Sequence, residues 1–329
     1  KYAITSPKLI PHMVVLDPVI TTNLPAFVTA TTGMDALTHA LECYIGKANT
    51  KLTKKQRLVR EKVIAYILVS ICSIFFIVPL LWMLLTALKT PEDLANGVFF
   101  PTKAHWENFV TAIESIPFAQ YTFNSLYYAF FATIGMVIST TLTSYAFAKL
   151  NWPGRDKWFL VMLATMVIPS QIIQIPLFIL YTKLNWIDTY NPLIIPSYFA
   201  IGAAANIFLL RQFFMGIPES LKESAKLDGA NEFQIFLTIM LPLVKSMVVC
   251  IAIMTFMNCW NDFYNPLLYI KDSNYFPLAY AIRTFSTQYA NQNHLIMAAS
   301  LIVTVPSLVL FFLAQKQIIG SAVHSGVKG

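Results

Sequence analysis

The sequence predicts an all-α integral membrane protein with six transmembrane helices, preceded by a short N-terminal segment of soluble α/β character. Composition is the first observation: 57% of the 329 residues are apolar and only 12% are charged. Ordinary soluble domains carry about 25% charged residues. So few charges cannot cover a surface that faces water, so most of the chain is expected to lie in lipid.

Long apolar runs are the second observation. Each predicted span is long enough to cross a hydrocarbon core of about 30 Å. The six predicted spans cover residues 63–88, 123–148, 158–181, 193–214, 243–268 and 295–314. The first is too long, and too far inside the chain, for a cleaved signal peptide. The third contains Pro169 and Pro176, which are predicted to kink it.

The third observation is a change of character near residue 50, which divides the chain into residues 1–50 and 51–329. Within the first part, residues 13–16 are typical of a short buried strand and residues 29–45 of a helix with one packed face. Asp35 and His39 stand four residues apart on that helix and therefore share a face. Such a pair is compatible with a metal ion, although an ordinary polar pair is the commoner structure.

The segment from Thr29 to Glu42, TATTGMDALTHALE, resembles the signature of iron-containing alcohol dehydrogenases. This resemblance implies that Asp35 and His39 correspond to two of four iron ligands. The other two ligands and the glycine-rich nucleotide loop have no counterpart in the sequence, so no bound metal is expected. Residues 1–50 are therefore interpreted as an inactive dehydrogenase fragment that is truncated, fused or misassembled.

Basic residues predict the orientation in the membrane. The net charge of +7 arises entirely within residues 51–329, which favours a topology bias over nucleic-acid binding. Fifteen basic residues fall on one side: Lys51, Lys54, Lys55, Arg57, Arg60, Lys62, Lys149, Arg155, Lys157, Arg211, Lys222, Lys226, Lys245, Lys316 and Lys328. Only Lys89, Lys103, Lys183, Lys271 and Arg283 fall on the other. Both termini and the polar segment 218–242 are thus predicted to be cytoplasmic.

Residues 218–242 form a polar helix–glycine–helix pattern between two apolar runs; we refer to them as the hairpin. Ser220 and Glu223 have the spacing of a capping box, and Gly229 fits a left-handed helix stop. Asn231 is a candidate cap for a second short helix. One predicted face of the first helix carries small atoms at its centre: Leu221, Ser224, Ala225 and Asp228. A docking surface for another protein and an ordinary solvated loop both remain possible on these grounds.

The hairpin sequence ESAKLDGA, residues 223–230, ending in IMLP, residues 239–242, resembles the "EAA…G" loop of binding-protein-dependent ABC transporter permeases. The surrounding sequence is similar to the smaller maltose-type subunit of the carbohydrate-uptake branch. The resemblance covers residues 51–329 and includes Trp260-Asn261-Asp262-Phe263. It implies the type I ABC importer permease fold. It also implies that seven residues contact a separate ATPase: Glu223, Ser224, Ala225, Asp228, Gly229, Ala230 and Pro242.

The sequence contains no GxxxxGK[ST] loop to cradle ATP phosphates, so energy must come from a partner. The resemblance implies a dimer of ATPase subunits that uses ATP and Mg, a second related permease subunit and an extracytoplasmic sugar-binding protein. The chain itself is expected to bind no cofactor and to reside in a bacterial-type inner membrane. The alternative functions are an iron-dependent oxidoreductase with a membrane anchor and a stand-alone secondary transporter, and the coupling-type hairpin disfavours the second.

Polar residues within spans raise a functional question, because they are costly in lipid. The candidates for a sugar pathway are Asn258, Asn261, Asp262, Gln171 and Gln174. The indole of Trp260 is a candidate surface for a sugar ring. Interhelical hydrogen bonding is the commoner role for such groups, and Asp262 alternatively helps to close an outer gate. The Ser139–Thr141 and Thr143–Ser144 clusters are predicted to allow close helix packing.

Overall fold

A computed structural model of the chain describes residues 54–288 and 292–326, and every regular element in those ranges is helical. The interpretation of residues 1–50, with Asp35 and His39, lies outside the described residues. The principal helices are α1 (Lys54–Ala87), α2 (Pro91–Ala95), α3 (Glu107–Glu114), α4 (Phe118–Lys149), α5 (Arg155–Ala164), α6 (Ser170–Lys183), α7 (Asn191–Tyr198), α8 (Ala204–Met215), α9 (Glu219–Leu227), α10 (Glu232–Ile235), α11 (Leu241–Leu243), α12 (Lys245–Trp260), α13 (Tyr264–Tyr269), α14 (Leu278–Gln288) and α15 (Asn293–Gly326).

The chain forms two compact units, Lys1–Leu80 and Leu81–Gly329. In the first unit the structure describes most of α1, whose apolar side chains are largely exposed. Helix α1 corresponds to the first predicted span, and its apolar section Val59–Ala87 is long enough to cross a membrane. Exposed apolar side chains over such a length are what a lipid-facing helix requires.

Helix α4 is the centre of the second unit and packs against α7, α8 and α12. Small residues on α4 allow this close packing. A Cβ atom added at Gly135 would lie 2.5 Å from the Tyr198 ring of α7. The Ser139 hydroxyl donates to the Ser197 carbonyl at 2.7 Å, and the Ser144 hydroxyl donates to the Ile207 carbonyl at 3.1 Å. The predicted packing role of the serine and threonine clusters is confirmed at these two serines.

The third predicted span is sharply bent at Pro169, one of the two prolines that were predicted to kink it. Helices α5 and α6 meet at an angle of 98°, and the break falls at Ile168 and Pro169. Pro169 lies immediately before α6. Because proline has no backbone N–H and its ring clashes with the preceding helical turn, the helix that includes α5 cannot continue through it. Pro176, in contrast, lies inside α6 without ending it.

Two other predicted spans differ in their boundaries. Residues 193–214 are not one helix, because the chain breaks between α7 and α8, where Ala200 and Gly202 adopt left-handed backbone angles (φ 53° and 76°). The span predicted over 243–268 ends at Trp260, and α13 begins anew at Tyr264. At its start, the segment Glu232–Leu243 meets α12 at 80°. Apolar runs alone could not reveal these breaks, since the residues at them are themselves mostly apolar.

Three helices of the described residues are long and apolar enough to cross a membrane, namely Val59–Ala87, Phe118–Lys149 and Asn293–Leu313. The count reaches five if each bent pair is one span. Helix α8 is apolar but shorter. The described part of the chain is thus an all-helical, multi-span protein.

Candidate functional site

The hairpin folds as two short helices joined by a glycine turn. Helix α9 ends at Leu227, and Gly229 follows with φ 85°, the left-handed stop that the sequence predicted. Asn231 caps α10: its side chain accepts from the Gln234 amide at 2.9 Å, and the Gln234 side chain accepts from the Asn231 amide at 2.9 Å. The predicted second helix and its cap are therefore confirmed. A π-helical turn, Phe236–Met240, leads on to α11.

The predicted capping box between Ser220 and Glu223 is wrong. Pro218, in extended conformation, occupies the N-cap position, and α9 begins at Glu219 with no side-chain cap. Ser220 is consequently already helical, and a residue with helical backbone angles does not direct its side chain at the free amides of the first turn.

The exposure of α9 differs from the predicted face. Lys222 and Ala225 are buried, and Ala225 packs into an apolar core with Leu210, Phe214 and Met240. Ala225 therefore faces the body of the same protein, whereas Glu223, Ser224, Asp228 and Gly229 are exposed and Ala230 is half-buried. Ala225 thus does not share the exposed surface of Leu221, Ser224 and Asp228, and its predicted contact with the ATPase stays a prediction.

Leu227 is the most exposed apolar residue of the hairpin, at 90%. It lies four residues after Glu223, so the two side chains occupy the same outward face of α9. Leu227 was not among the residues predicted from the sequence to contact the ATPase. Its spacing from Glu223 was the available signal, but only the burial of Lys222 and Ala225 shows which face of α9 points outward.

Buried lysines hold the first turn of α9 against the end of α4. The Lys149 ammonium donates to the Ile217 carbonyl at 2.7 Å and pairs with the Glu219 carboxylate at 2.8 Å. In return, the Lys222 ammonium donates to the Lys149 carbonyl. Lys149 and Lys222 are 7% and 5% exposed. Because a buried charge is tolerated only when it is paired, these contacts fix the position of α9 on α4.

Glu232 of α10 is the second attachment. Its carboxylate lies 2.7 Å from the Lys226 ammonium and 3.3 Å from that of Lys222, and it accepts from the Tyr145 hydroxyl of α4 at 2.9 Å. This carboxylate therefore links α9, α10 and α4.

An apolar groove of about 580 Å³ lies beside the hairpin and runs along α4. The exposed Pro242 lines it, together with Phe233 and Leu237 from the hairpin and Lys245 at the start of α12. Neither Glu223 nor Leu227 is among the described residues that line this groove.

Toward the other end of α4, the chain makes a second polar cluster, which we call the 258–265 turn. Asp262 accepts four hydrogen bonds: from the Tyr128 hydroxyl of α4 at 2.9 Å, from the amides of Tyr264 and Asn265 at 3.1 Å each, and from the Asn265 side chain at 2.8 Å. The Tyr264 hydroxyl in turn donates to Gln174 of α6 at 2.8 Å. Asp262 is therefore a local structural acceptor at this turn.

The predicted sugar-pathway residues fall into two groups. Asp262 and Gln174 are engaged in this network, whereas Asn258, Asn261 and Gln171 are exposed. The Asn261 side chain donates to the Met257 carbonyl in the last turn of α12 at 2.8 Å. Trp260 is 2% exposed and donates to the Val303 carbonyl at 3.1 Å. Its indole is therefore not available to a sugar ring, contrary to the prediction.

Within residues 54–288 and 292–326, no group of three or more His, Cys, Asp or Glu side chains is placed to hold a metal ion.

Comparisons with known proteins agree with this architecture. Residues 140–320 match the model of the family described as "Binding-protein-dependent transport system inner membrane component". The arabinooligosaccharides transport system permease protein of Halalkalibacterium halodurans is 31% identical over 271 residues, which are 81% of this chain and 95% of the relative. The diacetylchitobiose uptake system permease protein of Streptomyces coelicolor is 28% identical over 265 residues, 80% of this chain and 87% of the relative. These relatives do not test the interpretation of residues 1–50 as a dehydrogenase fragment, which stays a prediction.

A solved structure has the same fold. A chain of a bacterial ABC transporter involved in the import of the acidic polysaccharide alginate superposes with a TM-score of 0.69 at 19% identity, covering 82% of this chain and 99% of that one. The family match spans more than half of the chain, and the bent, multi-span helical architecture accords with it. The chain therefore belongs to the family of binding-protein-dependent transport system inner membrane components.

Proposed function

We propose that the chain is the permease subunit of an ATP-driven oligosaccharide importer in a bacterial-type inner membrane. It forms half of the translocation pathway and pairs with a second related permease subunit. The observation that carries the proposal is the hairpin: a helix fixed to α4 by buried, paired lysines while Glu223 and Leu227 face outward. The relatives that transport arabinooligosaccharides and diacetylchitobiose support the substrate class.

In this proposal the hairpin and both termini are cytoplasmic, in line with the excess of basic residues on that side. A separate dimer of ATPase subunits uses ATP and Mg and receives the outward face of α9 in a cleft. Closure of the ATPase dimer moves α9, and the attached spans pivot between inward-open and outward-open states. This chain itself binds no nucleotide in the mechanism.

An extracytoplasmic sugar-binding protein delivers the substrate on the opposite side. A solved alginate transporter in complex with an oligosaccharide-bound periplasmic protein has the same fold as this chain and supports this partner (TM-score 0.59, 17% identity). The exposed amides of Asn258, Asn261 and Gln171 are the residues of this chain proposed to meet the sugar. Amide groups both donate and accept hydrogen bonds, as sugar hydroxyls require.

Reconstitution in proteoliposomes tests the proposal. The chain is combined with its ATPase, second permease and binding protein, and uptake is measured for arabinooligosaccharides and diacetylchitobiose. We expect one of these sugars to be imported and to stimulate ATP hydrolysis. Glu223→Ala and Gly229→Asp should remove the stimulation while the protein stays in the membrane.

Two matched controls exist in the chain. Glu92 is an exposed glutamate, and Gly97 has, like Gly229, a left-handed backbone and no atom within 4 Å of an added Cβ. Glu92→Ala and Gly97→Asp therefore repeat the same chemical changes away from the hairpin and should leave uptake unchanged. Normal uptake in both hairpin variants would refute the proposed coupling role.

A further inference from the structure

Helix α4 carries polar contacts at two separated points along its length. Near one end the Tyr145 hydroxyl holds Glu232 of the hairpin, and further along the Tyr128 hydroxyl holds Asp262 of the 258–265 turn. The two tyrosines are seventeen residues apart, or about 26 Å along a helix axis. We propose that α4 transmits the movement of the hairpin to the 258–265 turn through these two hydroxyl–carboxylate contacts, an inference that rests on the proposed function.

The backbone of α4 is suited to this role. Unlike α1 and α15, which contain Pro79 and Pro306, α4 contains no proline and continues unbroken from Phe118 to Lys149. A helix bends sharply mainly where its hydrogen-bond ladder is interrupted. A push on one end of α4 is therefore carried to the other as a displacement of the whole helix.

The hairpin is attached to α4 by charges. Glu219 and Lys222 meet α4 at Lys149, and Glu232 meets it at Tyr145 while also holding Lys222 and Lys226. These contacts tie both short helices of the hairpin to the last turns of α4. Hydrogen bonds to charged groups are stronger than those between neutral groups, so a displaced hairpin carries α4 with it.

At the far end, Tyr128 is linked to the region of the proposed sugar contacts. Its acceptor, Asp262, directly follows Asn261 and also accepts from the amides of Tyr264 and Asn265. Tyr264 then reaches Gln174 on the bent third span. A movement of Tyr128 therefore changes the carboxylate that organises this turn, and the turn connects to a second span.

Hydrogen–deuterium exchange tests the inference without knowledge of the sugar. The complete transporter is placed in lipid nanodiscs, and exchange is followed at the Tyr264 and Asn265 amides with and without Mg-ATP. These amides donate directly to Asp262, so their exchange reports opening of the turn. In the wild type we expect Mg-ATP to change their exchange rate about fivefold, within the usual range for coupled sites.

Tyr145→Phe and Tyr128→Phe each remove one hydroxyl and preserve the ring. Each should reduce the response to Mg-ATP to less than about twofold, and the double variant should lose no more than the more affected single variant, since both interrupt one path. Tyr190→Phe is the matched control, because the buried Tyr190 hydroxyl forms no hydrogen bond within the described residues. It should keep the wild-type response.

Three results would overturn the inference: no Mg-ATP response at these amides in the wild type, an undiminished response in both tyrosine variants, or losses that multiply in the double variant. Sugar uptake measured on the same wild-type preparation judges the proposed function separately. Import without an exchange response would refute only the role of α4, whereas absent import would count against the proposed function.

Discussion

The hairpin and the 258–265 turn contact the same helix, α4, but use their polar groups in opposite ways. In the hairpin, the charged Lys222 is buried and paired, and the apolar Leu227 is exposed on the same face as Glu223. In the 258–265 turn, the charged Asp262 is occupied by four donors and the neutral amides of Asn258 and Asn261 are exposed. The first arrangement favours docking of another protein, and the second favours contact with a polar ligand.

The largest expected effect concerns the inward charges of the hairpin. Lys222→Met should lower the free energy of unfolding by about 3 kcal/mol, because it removes a buried cation from beside Glu232 and frees the Lys149 carbonyl. Thermal unfolding of the purified protein in detergent measures this. Lys226→Met is the control: its side chain is half exposed, so the loss should stay below about 1 kcal/mol. Equal losses in the two variants would show that burial does not distinguish these lysines.

A substitution in the middle of α4, between the two regions, tests how closely this helix packs against α7. Gly135→Ala places a Cβ atom 2.5 Å from the Tyr198 ring and should cost about 2 kcal/mol through overpacking. Combining it with Tyr198→Ala removes the clash, so the double variant should be less destabilised than the sum of the two single variants. Unfolding measurements on the three variants test this, and strictly additive losses would contradict the predicted contact.

The outward face of the hairpin should respond through binding alone. Leu227→Asp should weaken association with the ATPase subunit about tenfold, since it places a charge at the exposed apolar point of α9 while touching little of its own chain. Leu227→Met keeps the apolar character and should bind normally. Surface plasmon resonance with the solubilised permease complex measures both affinities. Unchanged binding by the aspartate variant would remove Leu227 from the docking surface.

The smallest expected effect lies in the 258–265 turn. Asn261→Ala should raise the KM for uptake about threefold, the loss of roughly one hydrogen bond, with little change in stability because its side chain is exposed. Asp262→Asn should instead lower stability, since Asp262 accepts four hydrogen bonds. Uptake kinetics and thermal unfolding of the two variants separate these roles. The reverse pattern would exchange the roles assigned to the two residues.

Local patterns in the sequence predicted much of this structure. Apolar length located α1, α4 and α15, Pro169 located the bend of the third span, and Gly229 and Asn231 located the end of α9 and the start of α10. Each of these features depends on neighbours within a few positions in the chain, and sequence patterns report such neighbours directly.

Contacts between distant residues were not predicted. Nothing near Ala225 in the sequence shows that it packs with Leu210 and Met240, and nothing near Glu232 shows that Tyr145 lies beside it. The break between α7 and α8 was missed although Gly202 offered a local signal for it, because glycine adopts left-handed backbone angles readily. The left-handed angle at Ala200 is not one that its residue type favours. The orientation of α9 therefore required the structure.

Photocrosslinking to the ATPase tests the central claim most directly, because it reports which face of α9 meets the partner. A photoreactive amino acid is placed at position 227 or, in a separate protein, at position 225, and the assembled transporter is irradiated. We expect strong crosslinks to the ATPase from 227 and none from 225, since Leu227 is exposed and Ala225 lies in the core. Crosslinks from 225 that equal those from 227, or none from 227 in an active transporter, would contradict this claim.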